Sequence, residues 1–147
     1  MTAQRRGELG FGDQRRFHLI DYRHGHSRAV VRGIPEPDEE DGGAALRVID
    51  FLFVGVARIA CWKDFARFEI RRPSAVEMKV MEGRLGRFRQ GESVFLLEAG
   101  SIESYIAAAR VYWAEFDLGG GAPSPLASED SDYREAHPPI EAIQFAD

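Results

Sequence analysis

The chain has 147 residues, the size of one domain, and 44% of them are hydrophobic, which is sufficient for a buried core. Its formal net charge of −5 argues against nucleic-acid binding, which usually needs a clustered basic surface. The N-terminus lacks the apolar core of a signal peptide, and no apolar run approaches the length of a membrane span. We therefore expect a soluble, cytoplasmic protein with no membrane partner.

The N-terminal third predicts a mobile lead-in followed by a β-hairpin. Residues 1–15 are mostly polar, whereas residues 16–22 and 27–34 have the composition of strands. The turn between the two strands falls on His24-Gly25-His26, and we expect Gly25 to supply a positive φ there.

An acidic loop and the most strand-like segment of the chain come next. Residues 35–43 combine two prolines, four consecutive acids and two glycines, a composition typical of a solvated loop. Residues 45–62 are rich in Val, Ile and Phe, and Gly55 in their middle indicates a bulge or bend. Residues 65–72 alternate apolar and charged side chains and predict another strand.

One helix is clearly signalled near residues 74–85. Ser74 and Glu77 form the sequence pattern of a capping box, and glycines follow near the expected end. We expect Val76, Val80 and Met81 to form its buried face.

The rest of the chain predicts further strands and then an extended segment. Residues 92–99 have strand composition, and residues 100–121 begin like a helix but end in an aromatic, β-branched run, so we expect one long strand. Residues 119–147 are rich in Gly, Pro, Ser and acids and indicate an extended surface segment, within which residues 140–145 could dock as an edge strand.

These elements predict an α+β fold. We expect mainly an antiparallel β-sheet or sandwich with one packed helix near residues 74–85. In this interpretation residues 16–118 form a single β-rich domain between the lead-in and the C-terminal segment.

Several kinds of chemistry lack their sequence signatures. The chain has no phosphate-binding glycine loop followed by lysine, no dinucleotide fingerprint and no G-x-S-x-G nucleophile elbow, so we expect no cofactor. Cys61 is the only cysteine, which excludes an internal disulfide, and its place at the end of an apolar run indicates a buried, inert thiol.

Histidines in the first hairpin are the strongest positive signal for chemistry. His24 and His26 are two residues apart, so in an extended segment they would face the same side and could share a metal. A third ligand would come from His18, Asp21 or the distant His137, and Asp21 could instead orient one imidazole for acid–base work. Arg23 and Arg28 flank the pair and repel a cation, so a solvated turn is the favoured interpretation.

Two acidic clusters predict a surface for a basic protein partner. Because electrostatic complementarity steers association, we expect both clusters to face such a partner. The residues concerned are Asp38, Glu39, Glu40 and Asp41 in the loop, and Glu129, Asp130 and Asp132 near the C-terminus.

The run from Phe53 to Ile59, F-V-G-V-A-R-I, resembles a recurring F-x-G-V-x-x-I/L pattern of small β-rich bacterial domains, some grouped with the immunity proteins of toxin systems. The excess of Arg over Lys is in keeping with an actinobacterial type of sequence. The resemblance implies a non-enzymatic protein that occludes a toxin, with no catalytic residues in common.

The leading hypothesis is accordingly a non-catalytic, protein-binding, immunity-like module. The alternative is a small metal-dependent or acid–base enzyme centred on His24 and His26. A third hypothesis is a homodimer formed through an exposed strand edge.

Overall fold

A computed structural model describes residues 4–10, 14–36 and 46–147 as eleven strands and two α-helices. The strands are β1 Gln4–Arg6, β2 Arg16–Arg23, β3 Arg28–Ile34, β4 Leu46–Val54, β5 Arg58–Ala60, β6 Asp64–Phe65, β7 Phe68–Arg71, β8 Ser93–Glu98, β9 Tyr105–Ala108, β10 Arg110–Leu118 and β11 Ile143–Ala146. The helices are α1 Ala75–Leu85 and the short α2 Ser131–Ala136. No helix in these ranges is long and apolar enough to cross a membrane.

The strands form two sheets, so the α+β class with a mainly antiparallel β-structure is confirmed. The large sheet has the order β1-β11-β10-β4-β3-β2-β6, and the small sheet has the order β5-β9-β8-β7. Every pairing is antiparallel except that of β1 with β11. Residues from both ends of the chain therefore join the large sheet, and β11 lies between β10 and β1 rather than at its edge.

The main core lies between the two sheets. Phe17, Phe51 and Trp113 of the large sheet are packed there with Phe68 and Phe95 of the small sheet. The Phe17 and Phe68 rings stack with centroids 4.0 Å apart. Burial of this many aromatic side chains supplies much of the hydrophobic free energy that holds the sheets together.

The chain passes from one sheet to the other twice at the same corner. Gly55, with φ of 65°, follows β4 and leads to β5, whereas Ala109 separates β9 from β10. The Ala109 N–H donates to the Val54 carbonyl over 3.0 Å, and a Cβ on Gly55 would lie 2.8 Å from the Ala109 Cβ. The bend predicted at Gly55 is confirmed. The single long strand predicted over 100–121 is wrong, because this corner divides it between two sheets.

Helix α1 covers the outer side of the small sheet. Its capping box is confirmed, since the Glu77 N–H donates to Ser74 Oγ and the Ser74 N–H donates to Glu77 Oε1. Met81 is buried against Val94, Leu96 and neighbouring side chains. The predicted burial of Val76 and Val80 is wrong, since both are exposed. The sequence pattern located the helix but not the side on which it meets the sheet.

Glu77 makes the stability of this helix sensitive to acid. A bidentate hydrogen bond from Arg71, with the Ser74 backbone N–H, lowers the pKa of Glu77 from 4.5 to about 2. A carboxyl group whose pKa is lower in the folded than in the unfolded state stabilises the fold at pH values above its unfolded-state pKa. This contribution disappears as the pH falls from 4.5 to about 2.

We therefore expect Glu77→Gln to lose less stability than the wild type over that pH interval, as measured by urea unfolding at several pH values. Glu82→Gln is the control, because the Glu82 side chain makes no ion pair with the described residues. Equal acid sensitivity of the wild type and Glu77→Gln would contradict the assignment.

Candidate functional site

The outer face of the large sheet, which points away from the small sheet, contains a fully buried ion pair. Arg32 of β3 lies opposite Asp50 of β4 in the strand register. Two parallel hydrogen bonds of 2.6 and 2.8 Å join them, and neither side chain is exposed. A bidentate arginine–carboxylate pair of this kind neutralises both charges inside the protein.

The C-terminal segment, residues 119–142, covers this ion pair. Arg32 Nη1 donates to the carbonyls of Gly120 and Ala122, so the buried guanidinium also holds the covering backbone. Ala122 and Leu126 pack on the apolar side chains of this face, which include Phe116. The segment leaves a cavity on each side of it. We call them the β2 cleft, which is lined by residues of β2, and the apolar pocket, which is lined by Leu52 and Val54.

A bulge in β2 shapes the β2 cleft. Leu19 pairs with Val31 and Asp21 with Val30, so Ile20 is an extra residue on β2. Because paired residues project to the same side, the bulge places Asp21 on the same face as His18, whereas regular alternation would place them on opposite faces. The cleft has a volume of about 830 Å³ and lies between this part of β2 and residues 120–130.

Charged side chains dominate the β2 cleft. His18 Nδ1 lies 2.5 Å from Asp64 Oδ1, and Arg23 Nε lies 3.2 Å from Asp21 Oδ2. The other charged lining residues are Lys63, Glu129, Asp130 and the neutralised Arg32. Among the residues that the structure describes, the cleft is therefore lined by four carboxylates and by the two cations Arg23 and Lys63.

Asp130 has a structural role beside its place in the cleft. Its Oδ1 accepts hydrogen bonds from the N–H groups of Asp132 and Tyr133, so it is the N-cap of α2. The Tyr133 hydroxyl donates to the Pro123 carbonyl over 2.6 Å. These contacts fix the wall of the cleft that carries Glu129.

An exposed aromatic side chain lies next to the cleft. Trp62 is 80% exposed and directly precedes Lys63 and Asp64 in the chain. Ile20 and Tyr22 on the neighbouring β2 edge are also exposed. The sequence around Trp62 does not distinguish a buried tryptophan from an exposed one.

The predicted hairpin histidines lie outside both cavities. His24 and His26 form an exposed 3₁₀ turn and line neither the β2 cleft nor the apolar pocket. The residue with a positive φ in this turn is Ser27, at 50°, so the predicted positive φ at Gly25 is wrong. Among the residues that the structure describes, no group of three His, Cys, Asp or Glu is arranged to hold a metal.

The structure brings some of the other predicted residues together and places the rest elsewhere. His18, Asp21, Glu129 and Asp130 line the β2 cleft together, whereas Asp132 lies on α2 and is exposed. The loop acids Asp38, Glu39, Glu40 and Asp41 lie outside the described residues. Cys61 is half-buried, and this burial raises the pKa of its thiol, which disfavours the reactive thiolate.

Comparisons of the chain with protein-family models, with curated proteins and with solved structures give no match.

Proposed function

We propose that the chain is a non-catalytic protein-binding module that holds a basic partner protein in the β2 cleft, as an immunity-like inhibitor would. The observation that carries the proposal is the placement of the exposed Trp62 beside a cleft lined by four carboxylates. Tryptophan is highly buried on average in folded proteins and is enriched at the energetic centres of protein interfaces.

The charge of the cleft favours a basic partner. Asp21, Asp64 and Glu129 line it, and Asp130 adds a fourth carboxylate beside its capping role. These four carboxylates outnumber the cations Arg23 and Lys63 of the cleft, and an excess of one sign of charge in a cleft raises the association rate of the opposite charge. An indole beside carboxylates also suits arginine, because a guanidinium can pair with a carboxylate and stack on an aromatic ring.

The edge of the large sheet favours an extended partner segment. β6 pairs with β2 only at Phe17 and His18, and a further hydrogen bond joins the Leu19 N–H to the Lys63 carbonyl. In the described part of the chain, no strand pairs with the outer edge of β2 beyond that point. A partner strand can add at such an edge through main-chain hydrogen bonds.

A peptide of nine residues that alternates arginine and valine tests this function, with an alternating glutamate–valine peptide as its control. We expect the fluorescence of Trp62 to change when the arginine–valine peptide is added but not when the glutamate–valine peptide is added. The Kd of the basic peptide should rise as the salt concentration increases from about 0.05 M to 0.3 M. Trp62→Ala removes this fluorescent reporter, so its binding is measured by calorimetry, and it should be weaker by roughly tenfold or more, the size of an interface hot spot.

Charge variants distinguish binding at the β2 cleft from a general attraction between an acidic protein and a basic peptide. Asp21→Asn with Glu129→Gln should raise Kd at low salt by about fivefold or more, measured by calorimetry. Glu82→Gln with Glu103→Gln removes the same charge from two acids that line neither cavity, and should leave Kd unchanged. Equal effects of the two pairs, or equal binding of both peptides, would contradict the proposal.

One observation favours the alternative function, a small metal-dependent or acid–base enzyme. It is the His18–Asp64 pair in the cleft, where the carboxylate can fix the imidazole and direct its Nε2 toward a substrate or metal. A zinc titration followed by NMR separates the two functions. Site-specific binding of zinc at His18 would support the alternative over the binding module.

A further inference from the structure

The apolar pocket lies on the other side of the C-terminal segment from the β2 cleft. Its floor is the outer face of β4 and β10, with Leu52, Val54 and Phe116, and its wall includes Leu126. The cavity volume is about 480 Å³, within the range typical of small-molecule sites.

Two arginines and a histidine lie around this apolar floor. Arg28, Arg134 and His137 line the pocket, and none of the other lining residues in the described part of the chain carries a carboxylate. This is an unexpected composition in a chain whose net charge is −5. The pocket therefore has the opposite electrostatic preference to the β2 cleft.

Of the two arginines that line the pocket, Arg28 has fewer hydrogen-bond and ion-pair partners among the described residues. It begins β3, lies opposite Val54 in the register and is partly buried. Its guanidinium makes no hydrogen bond or ion pair with the described residues, whereas Arg134 Nη1 donates to the Ser128 carbonyl over 2.7 Å. His137 Nδ1 lies 3.0 Å from the Tyr133 carbonyl. A partly desolvated guanidinium gains most from a carboxylate that accepts two of its hydrogen bonds.

We propose that the apolar pocket binds a small amphipathic carboxylate, with the carboxylate on Arg28 and the hydrocarbon body on Leu52, Val54 and Phe116. A single well-placed anion-binding group above an apolar floor fits a ligand with one charge and a hydrophobic body. The site is separate from the β2 cleft, so it does not depend on the proposed protein partner.

Three probes of equal chain length test the site: octanoate, 1-octanol and octyltrimethylammonium. Binding is measured by calorimetry and located by the methyl NMR signals of Leu52, Val54 and Leu126. We expect octanoate to bind at least about tenfold more tightly than octanol, because a hydrogen-bonded charge pair adds that much to the apolar contact. Octyltrimethylammonium should bind more weakly than octanol.

Arg28→Gln identifies the anchoring group. It should remove the preference for octanoate over octanol while keeping the weaker binding of octanol, since the floor is unchanged. Arg67→Gln is the matched control, because Arg67 is exposed and lines neither the apolar pocket nor the β2 cleft. The proposal is overturned if octanoate does not bind, if octanol binds equally well, if Arg28→Gln keeps the preference, or if the shifted methyl groups lie elsewhere.

Discussion

Asp50→Asn is expected to lower the free energy of unfolding by about 3–5 kcal/mol, the usual cost of removing one partner of a buried ion pair. The substitution keeps the size of the side chain but removes its charge. Arg32, which has no exposed surface, would then hold an uncompensated charge inside the protein. Urea unfolding at neutral pH measures the loss.

A double variant distinguishes the charge from the packing. Arg32→Met with Asp50→Leu replaces the pair by apolar side chains of similar volume, which often restores stability. We expect only part of the loss to be recovered, because the carbonyls of Gly120 and Ala122 lose their donor. A cost below about 1 kcal/mol for Asp50→Asn would show that the pair is hydrated, contrary to its burial.

Gly55→Ala is expected to lower the free energy of unfolding by about 2–4 kcal/mol. Two effects add at this position. The φ of 65° is unfavourable for a residue with a Cβ, and that Cβ would lie 2.8 Å from the Cβ of Ala109. Because both neighbours sit where the chain passes between the sheets, neither strand can move without disturbing a sheet.

Gly91→Ala separates the two effects by the same unfolding measurement. Gly91 also has a positive φ, of 90°, but a Cβ there would meet no atom within 4 Å. We expect Gly91→Ala to cost only the backbone term, about 1–2 kcal/mol. If both variants lose the same stability, the close approach at the corner is not important to the fold.

Local sequence patterns predicted many of the elements. The apolar, β-branched run gave β4 and its bend at Gly55, and the Ser74–Glu77 pattern marked the start of α1. Each of these signals depends on neighbouring residues in the chain, since capping and strand composition are short-range properties.

Features that depend on distant residues were not predictable in this way. The division of residues 100–121 into β9 and β10 requires the contact of Ala109 with Gly55. Likewise, the exposure of Val76 follows from which side of α1 meets the small sheet. A one-residue bulge at Ile20 reverses the face of Asp21, and no turn residue in the sequence marks it.

The candidate site was predicted only in its separate parts. Asp21 and His18 were expected to act with the hairpin histidines, and Glu129 and Asp130 with the acidic loop. The structure instead groups these four residues around the β2 cleft, because the C-terminal segment folds over β3 and is held there by Arg32. The buried Arg32–Asp50 pair that organises this arrangement exists only when β3 and β4 are aligned.

Chemical-shift mapping of the arginine–valine peptide on the ¹⁵N-labelled protein would test the proposed binding surface first. If the β2 cleft is the binding surface, the amide signals that move will belong to residues 18–23, 62–64 and 120–130, and the side-chain signal of Trp62 will move with them. Changes confined to the small sheet or to α1, or no saturable change at low salt, would contradict a protein-binding role for the cleft.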